Sequence, residues 1–470
     1  MPDADPVLLA TILPALAALW AVWWLRLREA PSSPLADSMR RVSWAFIAVY
    51  FTWKAFFYVP RESVLDLVTS GLSASNRIEA AFTVLAASWA GWLVLSRRVP
   101  FARLLYGAGF WATLLIALYM LSTLWSVWPE LTAYKALELC AFWVIVAHAF
   151  AVGPWRDNQE WLALWAVIGD LLPHIIGGDI DLSGGPVGAF YDNGGATMAG
   201  ALFLVGLHRL LSRQDLRARV LVVFALVAML LFHSFATYLS VVAALPALLV
   251  LVLVPQATRA AMTLMIFGTL TAGGLMSWLA VNAEPDLLFQ VGNMAGKDAA
   301  QMGSMTGRLP LWEVLWEISR NHALGTGFLA VERMIPEIVS VDMVGWIAAH
   351  SHNGFLSAWL AGGYLGLGVI LSFTVALCLQ AVRMGASGRA LAVPFLLFVL
   401  INNMSYPAFG GRLNGAWLMV MGLAFATAAR PARITVPAPA APAFPRIPAR
   451  PADVPALGHS RPAGSGPYQH

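Results

Sequence analysis

His350, Ser351, His352 and Asn353 stand side by side at the mouth of a long apolar segment, and Arg308 lies in a polar stretch upstream of them. These residue types can carry out group transfer. A neutral imidazole, with an ordinary pKa of about 6.5, accepts a proton from an attacking hydroxyl. A guanidinium presents a fork of donors that matches phosphate oxygens. A base and an anion clamp together point to transfer of a group from a phosphorylated donor. On the histidines alone, a plainer reading stays open: an interfacial pair that caps a helix. The neighbours favour chemistry. Leu311, Val314, Leu315 and Ile318 repeat at i, i+3, i+4 and i+7, Pro310 suits a first turn, and Asn321 with Gly325 and Gly327 suits a stop. Arg308 then sits just ahead of a helix N-terminus, where unpaired N–H groups and the helix dipole favour anions.

The elements that must hold these residues follow from composition. Hydrophobic residues make up 59% of the chain and charged residues 11%, against about 25% charged in a water-soluble domain. Many apolar runs are long enough to cross a bilayer core of roughly 30 Å as a helix. The expected fold is all-α and polytopic, with roughly 12–13 transmembrane helices. Residues 1–430 form the membrane domain. Within it, 282–349 is one long external loop, and a loop of that length should contain helices of its own. Residues 431–470, rich in Pro and Ala, read as a disordered tail.

Arginines fall in alternate loops, as in Arg26, Arg28, Arg40 and Arg41, then Arg97, Arg98 and Arg103, then Arg209, Arg213, Arg217 and Arg219. Basic residues are retained on the cytoplasmic side, so the histidines face outward. Scattered in short loops, these arginines are not a nucleic-acid surface. Cys140 and Cys378 fall in apolar runs and read as packing residues. The run Val7–Leu25 has no basic region before it and reads as a helix that stays. The segment 353–382 would be about 45 Å long if wholly helical. It must tilt or break, and Gly362-Gly363 is the expected break. Those glycines would let another backbone approach beneath the histidines.

Asp179-Ile180-Asp181 resembles a two-acid metal pattern, but acids are ordinary in loops, and no metal and no cofactor is assigned. Tyr134 and Lys135 follow an aromatic stretch, Trp125 to Pro129, in what reads as another outer loop.

At these residues the chain resembles the O-antigen ligase and exopolysaccharide polymerase superfamily. His352-Asn353, nine residues, then Gly363-Tyr364-Leu365-Gly366 resembles its His-Asn-x9-Gly-x-x-Gly pattern. Gly296-Lys297-Asp298, Thr306-Gly307-Arg308, Leu311-Trp312 and Leu324-Gly325-Thr326-Gly327 resemble its long periplasmic loop, and Leu124-Trp125-Ser126 with Pro129 and Thr132 its early outer loop. The resemblance implies a GT-C-like glycosyltransferase of the bacterial inner membrane, working at the periplasmic face on a polyprenyl-diphosphate-linked saccharide donor and a saccharide acceptor, without metal. It implies His352 as catalytic base and Arg308 as diphosphate ligand, with His350 beside them. Asn353, Lys297, Asp298, Arg412, Asn193, Ser234, Lys135, Gly363 and Gly366 form the expected substrate-binding set. A polysaccharide flippase and a chain-length regulator are the expected protein partners.

The sequence departs from the family pattern where cations are usual: Asp192-Asn193 lacks a neighbouring base, and Ser234 is followed by Phe235. Gly296-Lys297-Asp298 ahead of Thr306-Gly307-Arg308 leans toward a polymerase of repeat units. The alternatives are a ligase transferring finished glycan to lipid A core or protein and, in another class, a transporter or flippase.

Overall fold

In lipid, backbone amides must be satisfied within their own segment, so apolar runs of this length become helices. The computed structural model describes residues 34–57, 74–151, 154–177, 192–232, 234–254, 307–339 and 350–427, with a few single positions between 255 and 306. No strand occurs among the described residues. The helices are α1 (Pro34–Phe57), α2 (Ala74–Leu95), α3 (Gly107–Leu121), α4 (Pro129–Ala149), α5 (Trp155–Gly177), α6 (Asn193–Arg213), α7 (Leu216–Leu231) and α8 (Phe235–Leu253). After them come α9 (Arg308–Asn321), α10 (Val331–Ile338), α11 (Gly354–Arg383), α12 (Ala386–Asn403) and α13 (Gly415–Thr427). Seven of the described helices, namely α2, α3, α4, α6, α8, α11 and α12, are long and apolar enough to cross a membrane. The chain is a polytopic all-α membrane protein. The expected span at 7–26, most of that at 260–281 and the tail from 431 lie outside the described residues.

Short turns make successive helices antiparallel. Asp215 ends one such turn by capping α7, its carboxylate accepting from the Ala218 N–H at 2.7 Å. The packed pairs include α1 with α5, α2 with α4, α6 with α7, α8 with α12 and α3 with α11. The N-termini of α4, α6, α8, α11 and α13 therefore share one end of the bundle with the C-termini of α3, α7 and α12. The opposite end carries Arg209, which bonds Asp215 at 2.7 Å and Glu160 at 2.9 Å. The core runs through α4, α12 and α13, which are buried along most of their length, and Trp417 of α13 meets Phe409 and, on α11, Phe373 in tilted ring contacts. Val84, Leu85 and Leu95 on α2, and Val220, Val223 and Val227 on α7, stay exposed as expected of a lipid-facing surface.

The break in α11 falls where the glycine pair predicted. Gly362 and Gly363 leave helical geometry, with Gly363 at φ +61°, ψ −152°. A break orphans the carbonyls one turn before it. Here another part of the chain satisfies them: the Thr326 N–H donates to the Leu360 carbonyl at 2.7 Å and the Gly327 N–H to the Ala361 carbonyl at 3.2 Å. The Tyr364 N–H donates back to the Ala323 carbonyl at 3.2 Å. The turn Ala323–Gly327 is thus plugged into α11. A Cβ on Gly363 would lie 1.9 Å from the Ala323 oxygen, so only glycine allows this approach.

Two expectations change. Helix α4 begins at Pro129, because proline suits a first turn. Tyr134 and Lys135 therefore lie inside a helix and not in an outer loop. Helix α10, which the sequence did not signal, adds a second element to the long loop; eight residues interrupted by Pro336 give too short a period to read.

Candidate active site

The site grows from the four residues ahead of α11. Asn353 caps that helix: its side-chain oxygen accepts from the N–H groups of Phe355 and Leu356 at 3.0 and 3.1 Å. Ser351 is buried, and its hydroxyl sits 2.6 Å from that of Ser357 and donates to the Asn353 carbonyl at 2.8 Å. The Trp312 indole N–H of α9 donates to the Ser351 carbonyl at 2.8 Å. These bonds hold His352 at φ +53°, a left-handed backbone that costs a non-glycine residue about 1–3 kcal/mol. The effect of that turn is to fold the two rings together. Their centroids are 3.9 Å apart at 36°, and the His352 N–H donates to His350 Nδ1 at 3.2 Å.

That last bond fixes roles. His350 accepts at Nδ1, so in its neutral form the proton is on Nε2. The His352 ring hydrogen-bonds the backbone of Ser405. With one nitrogen donating there, the other carries the lone pair a base needs. Burial drives the His352 pKa down to about 3, the Arg308 and Arg412 charges push the same way, and the Ser405 bond opposes them. His350 is held well below the usual histidine range, by burial first and then by His352, Arg412 and Arg308. Both rings are neutral at neutral pH.

Arg308 is the first residue of α9, after Gly307 at φ +75°. Two ties place it: the Trp312–Ser351 bond, and the plug of the following turn into the α11 break. Arg412 comes from the loop between α12 and α13. The Tyr119 hydroxyl donates to the Gly410 carbonyl of that loop at 2.7 Å, the Phe409 N–H donates to Asn403, and the Tyr50 hydroxyl reaches the Leu413 carbonyl at 2.6 Å. Arg412 keeps an exposed surface, yet burial weighs against its charge more than any other influence, and the nearby Glu332, Tyr406, Tyr50 and Asp192 more than offset this and raise its pKa. Tyr406 lies on the same side, its ring 6.2 Å from His350 and edge-on to it.

The remaining expected residues divide. Arg308, His350, His352 and Arg412 act on one another's charge and so converge. Asn193 and Ser234 lie at the same end and bond each other at 2.9 Å. Lys135 forms ion pairs with Glu79 and, at 3.2 Å, with Glu138. Gly363 faces the chain's own Ala323, and Gly366 packs against the Ala358 carbonyl. Lys297 and Asp298 lie outside the described residues, as does Asp179-Ile180-Asp181. Glu332, on α10, was not expected. Burial pushes its carboxyl up, while the charges of Arg412 and Lys135 pull it down. One acid after a Gly-Thr-Gly turn is too ordinary a signal to read from the sequence.

Against known proteins, residues 220–371 match the O-antigen ligase family. The matched stretch contains Ser234, Arg308, Glu332, both histidines and the α11 break, and leaves out Lys135, Asn193 and Arg412. Neither a curated protein nor a solved structure matches the chain.

Proposed function

We propose, from the premise that this chain is an O-antigen ligase superfamily enzyme, that it polymerises polyprenyl-diphosphate-linked saccharide repeat units at the periplasmic face of the bacterial inner membrane. The observation that carries this reading is the neutral histidine pair beneath the charges of Arg308 and Arg412. An acceptor hydroxyl oxygen attacks the anomeric carbon of the donor from the face opposite the diphosphate. The C–O bond to the diphosphate breaks, and the electron pair leaves with the phosphate oxygen. The hydroxyl proton passes to His352, and the anomeric centre inverts. Base assistance of this kind is worth about 10² to 10⁴ in rate.

Arg308 holds the diphosphate, with the first N–H groups of α9 behind it. The guanidiniums supply the positive charge that metal-dependent transferases take from a cation. A bound dianion would offset the charge that keeps His352 low, so the base strengthens when the donor is in place. Asn353 and Ser351 serve by holding the histidine turn.

Deleting the gene should leave lipid-linked single repeats and no long polymer. A His352→Ala copy that restores normal chain length would contradict the assignment. The matched family's description favours a second reading, a ligase. In that case chain length persists in the deletion strain, but finished glycan stays on its lipid carrier. Gly296-Lys297-Asp298 ahead of the Arg308 segment leans toward the polymerase. A transporter would make no glycosidic bond in a purified system.

A further inference from the structure

We propose that α9 and the first half of α11 lie along the membrane surface as a ledge, with Trp316, Leu324, Tyr364 and Leu365 resting in the headgroup layer of the bilayer. The inference concerns how the site is seated and does not depend on the reaction assigned to it.

Length and contact fix the height of the break in α11. From Tyr364 to Arg383 the helix is about 30 Å long, enough to cross a bilayer core without the first half. Its exposed apolar stripe, Leu365, Leu371, Val375 and Leu379, starts at the break. No residue from Gly354 to Gly363 is exposed. That first half does not continue the span outward. A Cβ on Gly366 would collide with the Ala358 carbonyl, although a straight helix would hold those residues about 12 Å apart. A Cβ on Gly410 would collide with both the Gly354 carbonyl and Ile370, which a straight helix would hold about 24 Å apart. Gly354 also lies against the side chain of Asn403, the last residue of α12. Helix α12 is antiparallel to α11 and about 27 Å long, so it ends near the height of the break. The first half of α11 therefore turns aside at the edge of the apolar core and runs across it.

Helix α9 covers this half. Its Leu311 and Leu315 pack with Leu356, Trp359 and Leu360. The Trp312–Ser351 bond ties its start to the histidine turn, and the Ala323–Gly327 turn after its end plugs into the break. The two helices thus run side by side at one height. Trp316 meets Trp359 edge-on at 4.6 Å, and Trp359 meets Tyr364 at 5.4 Å. The Trp125 indole N–H donates to the Leu324 carbonyl at 2.8 Å, which sets Leu324 beside the end of the α3 span, where Leu124 is exposed.

Trp316, Leu324, Tyr364 and Leu365 are each more than half exposed. Large apolar side chains on one surface call for a cover. Continuity names it: the patch joins the lipid-facing stripe of α11 at Leu365. Tryptophan and tyrosine are the side chains that sit at headgroup level, apolar body inward and polar tip in water. Arg320 is exposed on the same flank of α9 as Trp316, where its stem can lie along the patch and its guanidinium reach lipid phosphates. Glu313 and Glu317 are exposed farther round the helix, toward water. This is the pattern of an interfacial helix. The ledge carries Arg308 and the histidine turn, so on the glycosyltransferase reading both stand where the phosphates of a lipid-linked donor lie.

The test uses the full-length protein with Cys140→Ala and Cys378→Ala, in vesicles of phosphatidylethanolamine and phosphatidylglycerol. Single cysteines, Trp316→Cys, Leu324→Cys and Glu317→Cys, each carry a small fluorophore. The three share one side of the membrane, so mixed insertion affects them alike. Phosphatidylcholine with a nitroxide near the headgroup should quench the labels of Trp316→Cys and Leu324→Cys about threefold more than that of Glu317→Cys, and aqueous iodide should show the reverse order. Equal quenching of all three by iodide would mean that the patch faces water, and the ledge is wrong. Labels at Trp316→Cys and Leu324→Cys that neither agent reaches would mean that a second copy or another protein covers the patch, which also overturns it. Should Trp316→Cys fail to fold, Leu324→Cys against Glu317→Cys decides by the same comparison.

Discussion

The indole N–H of Trp312 donates to the carbonyl of Ser351 at 2.8 Å. That one bond joins the helix that begins with Arg308 to the turn that carries both histidines. The spacing between the candidate base and the candidate anion clamp depends on it, although neither residue takes part in it.

Trp312→Phe keeps most of the ring and removes the donor. A hydrogen bond of this kind contributes about 0.5–1.5 kcal/mol. Thermal unfolding in detergent should therefore fall only slightly. Turnover should fall further, about tenfold, because small misplacements of reacting groups are costly. Equal, small losses in both would mean that the bond is merely structural.

His352 titrates low because it is buried and because Arg308 and Arg412 repel its proton. The kcat/KM profile should stay flat from neutral pH well into the acid range. Arg308→Gln removes one repelling charge, so the pKa rises and the acid limb of the residual activity should move to higher pH, by about one unit. Stability has its own sign. The unfolded histidine titrates at about 6.5 and the folded one at about 3. Between these values the unfolded state binds more protons, so this group's contribution is fully present above the unfolded pKa and is lost as pH falls toward the folded one. A pH-stability curve of His352→Phe should be flatter across that window than that of the wild type.

Gly363→Ala sets a methyl 1.9 Å from the Ala323 oxygen, at φ +61°. Backbone must shift, and the plug of the Ala323–Gly327 turn into α11 is lost with it. The expected destabilisation is about 2–4 kcal/mol. The Thr326 and Gly327 amides should then exchange hydrogen faster, a change that hydrogen–deuterium exchange can localise. Gly368→Ala, where an added methyl meets open space, is the control.

Lys135 was expected to bind substrate, but in the structure it bridges Glu79 and Glu138. Lys135→Met leaves two acids facing each other with no cation between them and should cost about 3 kcal/mol. Adding Glu138→Gln should recover part of that. A Lys135→Met protein of native stability whose KM has risen would restore the substrate role instead.

Much of the fold was legible in the sequence because membrane insertion reads composition. The apolar runs, the arginines in alternate loops and the glycine pair at 362–363 each act over one helix or one turn, and the helices and the break appear where those signals fall. The stripe from Leu311 to Ile318 worked for the same reason, and it placed Arg308 at a helix start. Tyr134 and Lys135 were placed in a loop because Pro129, six residues before Lys135, opens the helix earlier than the apolar run suggested.

What the sequence determined by itself was therefore the class of the protein, its helices and the two histidines at the head of α11, because helix formation and burial in lipid are decided by near neighbours. Only the tertiary structure decided which charges those histidines feel. Arg308 and Arg412 come from two separate elements, and Coulomb interactions depend on distance through space, which separation along the chain does not record.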